Sequence, residues 1–282
     1  MINKVLLLAF LIVSSILFGC GKDEVSETQS PGRNELLTAP NDNSLVEKFL
    51  HFDQKRYKEY DSKNDCLLRA SDDVTYCSKL DVIYAQEEKQ GRNLYVAESS
   101  ILRDDDGNLQ KTHTLQGVIT LFVIQQTGDE LKIISQSEEI SNGPYGVPNP
   151  VKTYRQGSGT ARGWILTDWD AHQGYSGGTI SLFLQKSRDI TPVATINVRY
   201  DDTEHCASDD TDCPITSLST DVETIYSPNS KYFDLKIETN GSKIEKGKKE
   251  ILINNKFTVK FDESKFAYKT DAADKLYEGL EY

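Results

Sequence analysis

From about Leu80 onward, apolar and polar residues alternate with a period of two, which is the pattern of half-buried strands. Ile180, Leu182 and Leu184 interleave with Ser181, Phe183 and Gln185, and Ala194, Ile196, Val198 and Tyr200 continue the period. Leu94–Leu102 predicts a further strand, closed by the acidic turn Asp104-Asp105-Asp106-Gly107-Asn108. Val118–Ile124 is apolar without interruption, as expected of a strand covered on both faces. Phe233, Leu235 and Ile237 alternate up to Asn240-Gly241, a dipeptide that predicts a type I′ hairpin turn. Ile251–Ile253, Asn254-Asn255 and Phe257–Phe261 predict a second hairpin. One helix is predicted ahead of these strands. Ser44 and Glu47 form a capping box, and Leu45, Val46, Phe49, Leu50 and Phe52 follow at roughly helical spacing towards Tyr60. The expected fold is therefore mainly β, an antiparallel sandwich or barrel-like set of sheets with one N-terminal helix.

The first twenty residues follow a different rule. Lys4 is a positive start, Val5–Val13 an unbroken apolar run, and Leu17-Phe18-Gly19-Cys20 a small-residue cleavage site that ends in cysteine. The apolar run is short for a bilayer span, so this is the layout of a secretory signal peptide. Its last four residues resemble the lipobox of bacterial lipoproteins. The resemblance implies removal of residues 1–19, a diacylglycerol thioether on Cys20 and acylation of the new amine, which together hold a protein firmly to a membrane. Gly21 stands where Asp favours inner-membrane retention in Gram-negative lipoproteins, so the resemblance further implies an outer-membrane anchor, with the body facing the periplasm or the exterior. Residues 20–43 are polar and without apolar periodicity, as in a tether, and the β-rich body is expected over 44–282. Asn142–Pro150, dense in Gly and Pro, marks a place for a subdivision near 141–157, although a single domain is preferred.

Cysteine usage agrees with export. Five cysteines less Cys20 leave Cys66, Cys77, Cys206 and Cys213, an even set that predicts two disulfides. Of the three connectivities, the short spacings favour Cys66–Cys77 and Cys206–Cys213. Removing Lys4 with the signal leaves 31 of the 32 basic residues against 44 acidic ones, a balance of −13. Such a charge disfavours nucleic acid and anionic headgroups and is compatible with a basic protein partner, with cations or, most commonly, simply with solubility.

Candidate chemistry is concentrated in residues 142–178, which hold eight of the 18 glycines and both tryptophans. Tyr145, Trp164, Trp169 and Tyr175 suggest an aromatic recognition surface, for protein or for glycan. Gly174-Tyr175-Ser176-Gly177-Gly178 fits the Gly-x-Ser-x-Gly pattern, with His172 and Asp170 nearby as a base and an orienting acid. A strand rather than a helix is expected after Ser176, however, and triads are assembled from separate elements, so a serine hydrolase is the alternative reading. Asp104, Asp106 and Asn108 alternate as calcium ligands do, but the twelfth position counted from Asp104 is Leu115 instead of Glu. A second acidic group, Asp201, Asp202, Glu204, Asp209, Asp210 and Asp212, surrounds Cys206 and Cys213. Four scattered histidines form no zinc motif, and no cofactor is expected, with calcium at Asp104, Asp106 and Asn108 as the alternative. The expectation is a non-enzymatic envelope protein that binds a macromolecular partner, as an inhibitor, immunity or assembly-accessory protein does. An envelope hydrolase using Ser176 and a glycan-binding module are the alternatives.

Overall fold

Six strands joined in sequence order form the first half of a large sheet: β1 (Tyr57–Asp61), β2 (Cys66–Ser71), β3 (Val74–Glu88), β4 (Gly91–Arg103), β5 (Gly117–Thr127) and β6 (Glu130–Gln136). All pair antiparallel with their neighbours. The short β7 (Ile140–Asn142) then pairs with the start of β5, opposite Gly117–Ile119. These assignments come from a computed structural model that describes residues 48, 53, 55–71, 73–159, 162–172, 174–205, 215–245 and 249–280. The signal peptide, Cys20, the 20–43 tether, the capping box, Cys206 and Cys213 lie outside the described residues.

A second run of strands follows: β8 (Lys152–Arg155), β9 (Arg162–His172), β10 (Tyr175–Lys186), β11 (Asp189–Asp201), β12 (Ser217–Ile225), β13 (Asp234–Glu245) and β14 (Lys249–Val259). These too pair antiparallel in order. The two runs meet at a single parallel step, Asp189 of β11 opposite Gln136 of β6, which makes the sheet mixed. A two-stranded hairpin, β15 (Phe261–Asp262) with β16 (Ala267–Tyr268), and helical turns at Asp271–Asp274 and Lys275–Tyr277 follow in the C-terminal segment.

The core explains the apolar runs. On one face of β4 and β5, Tyr95, Ala97, Ile119, Leu121 and Val123 pack against Trp164, Leu166, Phe183 and Ile190 of the second run. On the other face, Leu94, Val96, Phe122 and Ile124 pack against Tyr57 and Leu67, which belong to the same run of strands. Residues 119–124 are therefore buried whichever way they point, and the continuous pattern in the sequence follows. A third cluster joins β10, β11, β13 and β14 to the C-terminal segment through Leu184, Ile196, Leu235, Val259, Tyr268 and Ala273. Each large side chain so buried contributes about 1.5–3 kcal/mol.

Three local expectations are corrected. Lys48 is helical, but the chain is a strand from Tyr57, so the helix does not reach Tyr60; Tyr57 is instead needed in the core. Asn240-Gly241 is not a turn. Strand β13 continues through it, with Asn240 opposite Asn254, because β12 and β14 pair with it on both sides. Gly241 has φ +136°, and a Cβ there would lie 1.9 Å from the Ser217 carbonyl oxygen, so close strand approach is what requires glycine. Asn254-Asn255 likewise sits inside the uninterrupted β14, where ladder pairing outweighs its local turn preference.

Candidate functional site

A groove opens where the shared face of β3 and β4 passes beyond its contact with the second run. Its floor is made of cross-strand pairs: Cys77 with Ile101, Lys79 with Ser99, and Asp81 with Ala97. Residues paired directly across two strands project to the same side, so all six face the groove. Ile83 and Leu109 extend the apolar floor, and Val147-Pro148-Asn149-Pro150-Val151 forms the opposing wall. The enclosed volume is about 380 Å³, within the range of small-ligand pockets.

The wall is a strap held from both ends. Asn142, buried at the end of β7, donates its amide to the Thr167 carbonyl (3.2 Å) and accepts from the Asn149 backbone N–H (2.9 Å). The Gly143 N–H donates to the Asp168 carboxylate (2.8 Å), and the Gly146 N–H donates to the Leu115 carbonyl (2.7 Å). Pro148 seats against Gly117, where a Cβ would come within 2.2 Å of the proline Cδ. The wall and the residues leading into it are thus held by partners on β5, β7, β9 and the loop before β5.

Two polar groups in the groove lack a match. The Asp81 carboxyl makes no ion pair or hydrogen bond among the described residues. Solvent reaches it, yet the surrounding protein atoms remove enough water to hold it above the ordinary carboxylate range, and Lys79 only partly offsets this. Lys79 itself turns to Asp65, 3.5 Å away. The Asn149 side-chain nitrogen is sealed from solvent and meets no acceptor among the described residues.

The aromatic residues singled out in the sequence are dispersed. Trp164 is 0% exposed and belongs to the core, where Tyr95 lies 5.3 Å from it, centroid to centroid. Trp169 is 51% exposed on β9. Its register partner is Gly178, while Tyr175 pairs with His172, so Trp169 and Tyr175 project to opposite faces of the β9–β10 hairpin. Tyr145 is 40% exposed at φ 58°, its ring 4.1 Å from that of His113 and two residues ahead of the groove wall.

The chain has no match among known protein families, curated proteins or solved structures. Ser176 pairs with Ala171 and Gly177 with Asp170, which sends the serine and the acid to opposite faces of the hairpin. Asp170 accepts a hydrogen bond from the Ala171 N–H (2.8 Å). Ser176 is followed by strand throughout β10 rather than by the helix of a nucleophile elbow.

The acidic turn is closed on itself. Asp104 accepts from the Asn108 backbone N–H (2.7 Å) and from Gln110 (2.8 Å), and these bonds hold its carboxyl below the ordinary range. Lys63 donates to Asn108 (3.2 Å). Among the described residues, no three His, Cys, Asp or Glu side chains gather as a metal site would require. Asp201 and Asp202 accept from Thr203, Ser217 and Thr216, while Asp209, Asp210 and Asp212 lie outside the described residues.

A buried charge cluster completes the polar inventory. Glu98, 0% exposed, accepts from the Tyr57 hydroxyl (2.6 Å), Arg56 Nε (2.8 Å) and Ser100 (3.1 Å), and forms an ion pair with Arg69 Nε (2.9 Å). Arg69 also pairs with Glu139, and Arg56 donates to Thr120. Burial, followed by the charge of Glu98, pushes the Tyr57 phenol well above its ordinary range, so it stays a donor. The void beside it holds only about 10 Å³, at the threshold for one water. This cluster is internal scaffolding.

The groove was not legible beforehand. Its one signal was the Gly- and Pro-rich run at 142–150, which in sequence marks only a place for a subdivision near 141–157.

Proposed function

We propose that this chain is a lipid-anchored protein of the bacterial envelope that acts by binding a macromolecular partner, as an inhibitor, immunity or assembly-accessory protein does, without turning over a substrate. The observation that carries the reading is the groove: a concave, mostly apolar site with a few convergent polar groups and a rigidly held wall. The lipobox ending at Cys20 supports the anchor, and the excess of acidic residues supports a basic partner. The opposite projection of Ser176 and Asp170 argues against the hydrolase alternative.

The test uses the full-length chain in its own membrane. A photo-crosslinking residue at Val147, on the groove rim, is compared with one at Leu252, which is 82% exposed on β14 and outside the groove. A discrete adduct with one envelope protein from position 147 but not from 252 supports the reading. Equal labelling from both positions, or fluorophosphonate labelling that disappears in Ser176→Ala, overturns it. The anchor is checked by metabolic incorporation of an alkyne fatty acid, which must be lost in Cys20→Ser.

A further inference from the structure

We propose that the groove takes a basic side chain, a lysine or arginine carried on an extended segment of the protein partner, with Asp81 as its counter-ion. This rests on the binding reading above and names the chemistry of the partner.

Shape sets the first limit. A volume of about 380 Å³ admits a long side chain and its flanking backbone, but not a folded element. Ile83, Ala97, Ile101, Leu109, Val147 and Val151 give that side chain an apolar sleeve. Lysine and arginine suit such a sleeve, because their methylene stems lie against apolar surface while the charged head reaches a polar end.

Charge sets the second. Lys79 and Asp81 are the titratable residues that line the groove, Cys77 being held in its disulfide. Lys79 is directed at Asp65, so the three charges leave one negative charge, on Asp81. Without an ion-pair partner among the described residues, that carboxylate gains from a cation and repels an anion. A neutral apolar occupant would leave it buried and unpaired, which is costly. The chain as a whole, at −12, steers basic surfaces towards itself.

Extent sets the third. A free diamine fills only part of the volume, whereas a cationic side chain attached to a backbone covers the apolar sleeve as well as meeting Asp81.

Binding is measured by calorimetry on the full-length chain in detergent. The probes are acetyl-Val-Lys-Val-amide, the same peptide with norleucine or glutamate in place of lysine, and cadaverine. The lysine peptide is expected to bind at least tenfold tighter than the norleucine peptide and than cadaverine, with the glutamate peptide weakest. Asp81→Asn must reduce the lysine peptide to the norleucine level, and Asp81→Glu must keep the preference, with unfolding midpoints verifying that both variants fold. Affinity must fall as pH drops through the titration of Asp81 in the free protein, since the bound cation favours the ionised form. Equal affinity for the three peptides, or a lysine preference that survives Asp81→Asn, overturns the inference. If the Val147 adduct persists while lysine is not preferred, this inference fails and the binding reading stands. Loss of the position-specific adduct removes the binding reading itself.

Discussion

Glu98 shows what a single buried residue can require of its surroundings. Its carboxylate is satisfied by Tyr57, Arg56, Arg69 and Ser100, which come from three strands and the segment before β1. Glu98→Gln keeps the shape but leaves two guanidinium groups without their shared counter-ion. Removing one partner of such a buried set costs about 3–5 kcal/mol, and urea unfolding should show a loss of that size without a change in slope. Asp81 has the opposite sense. Its carboxyl is raised in the folded protein, so the fold holds that proton more tightly than the unfolded chain does. The ionised group therefore opposes folding above its raised pKa, and the penalty fades as pH falls towards the ordinary carboxylate value. Asp81→Asn should raise the unfolding midpoint slightly at pH 7, and the difference from wild type should shrink on acidification. Neither role was visible in sequence. Glu98 is one acid among 44, and only the strands around it distinguish it from a surface carboxylate.

At the scale of elements, the strap from Gly143 to Val151 turns a flat sheet face into a groove. Its Gly and Pro content was conspicuous, but a domain boundary and a fixed wall have the same composition. What separates them is the set of hydrogen bonds from Asn142, Asp168 and Leu115, all supplied from outside the strap. Gly117→Ala should push Pro148 off its seat, cost about 1–3 kcal/mol as overpacking does, and weaken the Val147 adduct. The floor has its own restraint in the Cys66–Cys77 disulfide across β2 and β3, eleven residues apart in sequence. Its pairing was legible from spacing alone. Paired Cys→Ser replacement should cost about 2–3 kcal/mol by thermal or urea unfolding. The Asn240-Gly241 and Asn254-Asn255 dipeptides make the contrary point. Local turn preference is weak beside a strand paired along its length, so both were absorbed into the β13–β14 ladder.

Over the whole molecule, the two runs of strands are joined by one parallel step and by the core that Trp164 completes. The two tryptophans should therefore differ in solution. Trp169→Phe should leave blue-shifted emission that acrylamide barely quenches, and Trp164→Phe should leave exposed emission while lowering stability. If glycan is the ligand, the emission of Trp169 alone should respond to it. The sequence by itself determined what is local or compositional: the mainly β class, the strand buried over 119–124, the Cys66–Cys77 pair, the acidic balance and the lipobox resemblance. Such features follow from period, spacing and charge, which are written along the chain. The tertiary structure alone decided which tryptophan is core, that Ser176 and Asp170 point apart, and that Asp81 and Asn149 line one groove. Those facts depend on register and on contacts between residues about seventy positions apart, and a one-residue change in register reverses which face a side chain meets. No pattern within either segment fixes the other.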